Sequence, residues 1–214
     1  MVRTLTLLAV VSLATGCSSP ERERLRETTR PTYDDETGRL RELTSDANGD
    51  GIVDTWTEMD GPRPVRSRID RDQDGTIDRW EYYDAEGRLL KVGFSRPGDG
   101  TPDAWAYAGP SGRVERVELS SARDEGRIDR WERYEPANAV GESGMLAAAE
   151  EDTTRDGRPD KWETYAAGVL QTAAFDENGD GRPDRRLTYD RGVLVLIEET
   201  PDTHGRFIRQ VSLR

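Results

Sequence analysis

Cysteine occurs once in these 214 residues, at Cys17, and histidine once, at His204. A single thiol excludes any internal disulfide, so cross-links cannot hold the chain together. His204 lies in a polar terminal segment and reads as a surface residue. No G-x-S-x-G, Cys–His pair or phosphate loop accompanies it, so no catalytic constellation is visible. Aliphatic and large apolar residues are also scarce. Leu, Ile, Val and Phe number 38 together, against 35% charged residues and a mean hydropathy of −0.86. A chain this poor in apolar side chains cannot bury enough of them to offset the entropy of ordering. A large α/β enzyme core is excluded on that ground. The acidic surplus, 43 residues against 31 basic and a net charge of −12, excludes nucleic acid, whose phosphates it would repel. Lysine is nearly absent as well: apart from Lys91 and Lys161 every basic residue is arginine.

The one sustained apolar run, Leu5–Ala14, is too short for the roughly 20 residues that span a bilayer. It follows a basic start, Met1-Val2-Arg3, and precedes small residues, which is the layout of a secretory leader. Leu13-Ala14-Thr15-Gly16-Cys17 resembles the lipobox of bacterial lipoproteins, with Ala14 where the family usually has Leu. The resemblance implies removal of residues 1–16 and acylation of Cys17, palmitate included, which anchors the chain in a membrane. Ser18 in place of Asp implies, by analogy with lipoprotein sorting, an outer-membrane destination in the cell envelope. Residues 17–31 read as the lipidated end and a polar tether, and 32–214 as the folded region.

Across that region a single unit recurs six times. Asp46-Ala-Asn48-Gly-Asp50-Gly51-Ile52-Val-Asp54-Thr-Trp56 returns as Asp70 to Trp80, as Asp152 to Trp162 and as Asp176 to Arg186. Two eroded copies, Ser95 to Trp105 and Ser121 to Trp131, keep the later Gly and Asp. The repeated glycines, 51, 75, 100, 126, 157 and 181, set a period near 24 residues, broken by an insertion over about 136–149. Fixed-period self-similarity of this kind marks a repeat array, with worn terminal copies as caps.

Oxygen side chains at the first, third, fifth and ninth places, with Gly at the sixth, are the ligand spacing of an EF-hand calcium loop. Alternate residues of a tight coil point inward, and calcium takes six to eight oxygens. The ligand sets are Asp46, Asn48, Asp50 and Asp54; Asp70, Asp72, Asp74 and Asp78; Asp152, Thr154, Asp156 and Asp160; and Asp176, Asn178, Asp180 and Asp184. The seventh place supplies a carbonyl, from Ile52, Thr76, Arg158 and Arg182. A twelfth-place carboxylate follows at Glu81, Glu163 and, in an eroded copy, Glu132. Twenty of the 43 acidic residues fall on loop places, so the negative surplus is concentrated where a divalent ion would neutralise it.

A 24-residue period leaves no room for the two helices of an EF-hand. The loops resemble those of thrombospondin type 3 repeats and dockerins, which reuse the calcium spacing without a full helix pair. Behind each loop an aromatic, a Gly and an apolar stretch read as strand, tight turn, strand; Tyr83–Leu89 also resembles a YD repeat. The expected fold is mainly β. Tandem loop-plus-hairpin repeats form an elongated or twisted antiparallel meander, short helical turns are allowed, and Trp and Tyr share one face. The expected function is calcium binding by a lipid-anchored envelope protein with a structural or interaction role and no enzymatic one. The alternatives are a glycan- or protein-binding surface built on Trp and Tyr, and a metal-free hairpin scaffold with remnant loops. Oligomeric state stays open.

Overall fold

The computed structural model describes residues 27–121, 127–135 and 144–213. The leader, Cys17, the tether to residue 26, Glu125 and Gly126 of the fourth loop, and 136–143 of the insertion lie outside them. Fifteen strands form one antiparallel sheet whose spatial order is the chain order. They are β1 (Arg30–Tyr33), β2 (Leu40–Ser45), β3 (Thr55–Asp60), β4 (Arg63–Ile69), β5 (Arg79–Tyr83), β6 (Leu89–Phe94), β7 (Ala104–Ala108) and β8 (Val114–Leu119). They continue with β9 (Arg130–Glu135), β10 (Met145–Glu151), β11 (Lys161–Ala166), β12 (Val169–Phe175), β13 (Arg185–Asp190), β14 (Val193–Pro201) and β15 (Phe207–Ser212). The mainly β meander is as expected. The residues after each described loop are strand rather than helical turn, and the last residues assigned to the insertion, 145–149, belong to β10.

Two kinds of connection alternate, so the two ends of the sheet differ. Most odd strands turn tightly into the next even strand. β11 and β13 do so through two residues, Ala167-Gly168 and Arg191-Gly192, all four at positive φ. That is the hairpin turn whose twist matches the flanking strands, and Gly at its second position carries no Cβ to clash. Even strands from β2 to β12 reach the next odd strand through the acidic loops, and β14 reaches β15 through the short turn from Asp202 to Arg206. All of those loops therefore line one end of the sheet, two strand spacings or about 9.6 Å apart. Register shifts occur in the odd-to-even hairpins, as at Tyr82/Tyr83 and Thr188/Tyr189, and the pairs joined by acidic loops run without one. Bulges bend and twist the tight-turn side, leaving the loop side regular.

The substantial contacts between elements join successive strands, so the sheet is a single layer. Among the described residues only Val92, Ala104, Ala149 and Ala173 are buried apolar side chains. Buried polar residues outnumber them, and most of those are loop residues: Asp46, Asp54, Asp70, Ser95, Asp103, Ser120, Asp129, Asp152 and Asp160. The scarcity of apolar side chains thus appears as a sheet without a conventional core. Backbone ladders and cross-strand side-chain pairs hold it, the latter contributing roughly 0.2–1 kcal/mol each.

The pairing register assigns the faces. Trp56, Arg68, Trp80, Gly93, Trp105, Glu118, Trp131, Glu150 and Trp162 are successive partners across the strands and lie on one face. All five tryptophans are half-buried. Trp105 lies across its neighbour: a Cβ at Gly93 would sit 2.8 Å from its ring. The Lys91 ammonium stands 4.3 Å above the same ring. Tyr82, whose ring centroid is 5.9 Å from that of Trp105, and Tyr107 share the tryptophan face. Tyr83, Tyr134 and Tyr165 are on the opposite one, so the expectation of a shared Trp and Tyr face holds only in part. Trp80 to Tyr83, Trp131 to Tyr134 and Trp162 to Tyr165 are odd steps, and side chains alternate along a strand.

Candidate metal centre

Each acidic loop is held by its own carboxylates. In the first loop the Gly49 and Asp50 amides donate to Asp46 Oδ1 at 2.5 and 3.2 Å, and the Gly51 amide to Asp46 Oδ2 at 2.7 Å. The sixth loop repeats this at Asp176, where Gly179, Asp180 and Gly181 are the donors. Fifth-place carboxylates accept from the seventh-place amide: Asp50 from Ile52, Asp74 from Thr76, Asp156 from Arg158, Asp180 from Arg182. The sixth-place glycine allows the coil to close, with φ of +95° at Gly51 and +91° at Gly75.

The ninth-place aspartate has a second task. Its side chain accepts the second-place amide: Asp54 from Ala47, Asp78 from Arg71, Asp103 from Arg96, Asp129 from Ser121, Asp160 from Thr153 and Asp184 from Glu177. Its carbonyl accepts the first-place amide of the next loop, as Asp54 does from Asp70 and Asp78 from Ser95. The loops are thereby stitched into the sheet. This frame corrects one assignment: Ser120, whose amide donates to the Asp103 carbonyl, opens the fourth loop, and Ser121 is its second residue. That loop is one residue longer than its neighbours, a difference invisible without the pairing.

Hydrogen bonds also set the acidity of these groups. The Ile52 amide, against some desolvation and helped by Asn48 and Gln73, holds Asp50 below the usual carboxylate range. Burial pushes Asp160 up, but the Thr153 hydroxyl and amide and the Thr154 amide outweigh it and keep the group acidic. Both are ionised at neutral pH.

The second loop differs from the rest. Asp70, Asp72 and Asp78 each place one carboxylate oxygen within 4.8 Å of the other two, the one such trio of acidic, His or Cys side chains among the described residues. At that distance two carboxylates repel by about 1 kcal/mol in water and about 3.5 kcal/mol at an effective dielectric of roughly 20. Asp70 is buried and Asp72 exposed, and any closer approach raises the repulsion. Among the described residues no Arg or Lys pairs with any of the three. Asp70 Oδ2 accepts the Gly75 amide at 2.9 Å, whereas Asp70 Oδ1, on a side chain only 5% exposed, is buried without a partner. An ionised oxygen in that state is costly unless a cation meets it.

The twelfth-place glutamates stand elsewhere. Glu81 accepts from Arg79 and from the Tyr83 hydroxyl, and Glu163 from Lys161, Arg130 and Tyr165. Arg79, Glu81 and Tyr83, like Arg130, Glu132 and Tyr134 and like Lys161, Glu163 and Tyr165, alternate down one face of an odd strand. The spacing that matches a bidentate calcium ligand therefore coincides with a basic–acidic–aromatic stripe. The recurrent pattern Arg/Lys-Trp-Glu-x-Tyr was its sequence signal.

The remaining loops place donors on their carboxylates. Asn48 Nδ2 bonds Asp50 Oδ2 at 3.1 Å, and Asn178 Nδ2 bonds Asp184 Oδ1 at 2.8 Å. In the eroded third loop Arg96 Nε bonds Asp103 Oδ2 at 2.8 Å. In the fifth, the Thr153 hydroxyl bonds Asp160 and the Arg127 guanidinium lies 3.6 Å from Asp152 Oδ2. His204 is exposed in the last turn. In comparisons with known proteins, no family model and no curated protein matches the chain.

Proposed function

We propose that this chain is a lipid-anchored, calcium-binding repeat protein of the bacterial cell envelope, with a structural or interaction role rather than a catalytic one. The observation that carries the calcium reading is the partnerless, buried Asp70 Oδ1 at the head of the Asp70, Asp72 and Asp78 trio. The donors are all hard oxygens, which suit calcium rather than a thiolate- or imidazole-seeking metal. Asp74 and the Thr76 carbonyl stand at the remaining ligand places of the same loop. Ion binding neutralises carboxylates that repel one another, and its free energy becomes folding free energy for a sheet with few buried apolar groups. Extracellular calcium modules bind at about 10⁻⁴–10⁻³ M, which suits standing occupancy outside the cytoplasm. The leader and Cys17 support the membrane anchor, and Ser18 the outer membrane.

A second reading treats calcium as scaffolding for a glycan- or protein-binding surface. The half-buried tryptophans at every second strand from Trp56 to Trp162 favour it. Terbium luminescence tests the metal reading. Trp80, two residues beyond Asp78, is positioned to sensitise an ion in the second loop. Excitation of tryptophan should give terbium emission that calcium displaces, and an absence of sensitised emission together with no calcium uptake would overturn the reading. Mass spectrometry of the N-terminal peptide checks the acylation of Cys17, and an unmodified Cys17 in the mature chain would remove the anchor.

A further inference from the structure

Resting on the calcium reading, we infer that the six loops are not equivalent and that the second, Asp70–Asp78, is the one that takes the ion. In each of the other five a protein donor is seated on a ligand-place carboxylate. Asn48 does this in the first loop, Arg96 in the third, Ser121 in the fourth, Thr153 in the fifth and Asn178 in the sixth. Among the described residues the second loop has no side-chain donor on Asp70, Asp72 or Asp78. The cause is its third place. Asn48 and Asn178 carry an amide that bonds a neighbouring carboxylate, whereas Asp72 has no hydrogen to give once ionised.

The fourth place contributes as well. Gly49 and Gly179 bring their amides onto the first-place carboxylate at 2.5 and 2.7 Å. In the second loop Gln73 stands there instead, at φ +61°, and its side chain reaches back to Asp50 Oδ1 of the first loop. The Asp74 amide, moreover, is turned to Asp72 at 3.4 Å rather than to Asp70. Asp70 Oδ1 is left without a donor for these reasons. Two loops go further and hold a resident guanidinium: Arg96, which also reaches the Ser120 carbonyl, and Arg127, which bonds the Arg155 carbonyl beside Asp152. A positive group supplied by the chain occupies the electrostatic role that a cation fills in the second loop.

The experiment is a calcium count on the full chain in detergent, freed of metal by chelator and titrated by calorimetry and equilibrium dialysis. The wild type should bind a single ion per chain. Asp72→Asn, at an exposed position, should lose it while keeping the wild-type circular dichroism. Asp180→Asn, which removes a charge from the sixth loop, where Asn178 is already seated on Asp184, should leave the count unchanged. Asn178→Asp, which exchanges the seated donor for a carboxylate, should add a second ion. A wild-type count above one, or a count that Asp72→Asn leaves intact, would overturn the inference while leaving calcium binding in place. No bound ion in any form would overturn the calcium reading itself.

Discussion

At the scale of single residues, side-chain parity decides roles that spacing alone leaves open. Glu81 and Glu163 fit the twelfth place of a calcium loop, yet they fall on strand positions whose side chains meet Arg79, Lys161 and tyrosine hydroxyls. A sequence shows the interval but not where the loop ends and the pleat begins. The same stripe gives the sheet a pH profile. Burial, reinforced by Glu132, pushes the Tyr134 phenol from an ordinary 10.0 to about 12, and burial with Glu81 does the same for Tyr83. Their contribution to stability is whole below pH 10 and is lost as the pH rises through about 12. Burial raises Glu163, but Lys161 and Tyr165 hold it below its usual 4.5, so its contribution is present above that pH and lost as the pH falls through the lowered value. Denaturation midpoints across pH should show both limbs, and Tyr134→Phe should flatten the alkaline one. An unaltered alkaline limb would contradict the role given to the phenol. On the other face, Gly93→Ala drives a methyl group into the Trp105 ring and should cost about 1–3 kcal/mol by urea denaturation.

At the scale of the element, the acidic loop combines fold-building and metal binding in the same residues. The ninth-place aspartate clamps the second-place amide in all six loops, including the eroded third and fourth. Persistence of Asp103 and Asp129 in loops with few other carboxylates follows from that clamp, without any metal. Asp103→Ala should therefore destabilise the chain by about 1–3 kcal/mol, the cost of unpaired buried groups, equally with and without calcium. A loss seen only in calcium would assign Asp103 to an ion instead. Asp72, exposed and bonded only at 3.4 Å to the Asp74 amide, has no such structural duty. Its replacement should matter only when calcium is present. The loop places and the sixth-place glycine were legible in the sequence because turn chemistry is local. The distinction between Asp103 and Asp72 was not, because it depends on donors that the folded backbone brings round.

At the scale of the whole molecule, tandem hairpins were legible from the period, the turn glycines and the scarcity of apolar residues. The single layer was hidden, since nothing in a strand's sequence says whether a second sheet will cover it. Contacts between neighbouring loops were equally hidden: Gln73 to Asp50, and Thr76 against Gly100, where an added Cβ would lie 2.8 Å from the Thr76 methyl. These follow from loops stacked at two strand spacings along one end, and that arrangement makes the loop end the place where charge must be balanced. With four buried apolar side chains among the described residues, the sheet has little reserve against repulsion there. Calcium at ten times its dissociation constant contributes about 1.4 kcal/mol to the folded state. For a chain of this length that corresponds to a rise in melting temperature of roughly 3–6 °C. Thermal unfolding of the full chain, followed by circular dichroism in calcium and again in excess chelator, is the most direct test of calcium as a folding partner. The melting temperature should be higher in calcium, and Asp72→Asn should abolish the difference; identical melting in calcium and chelator would contradict that role.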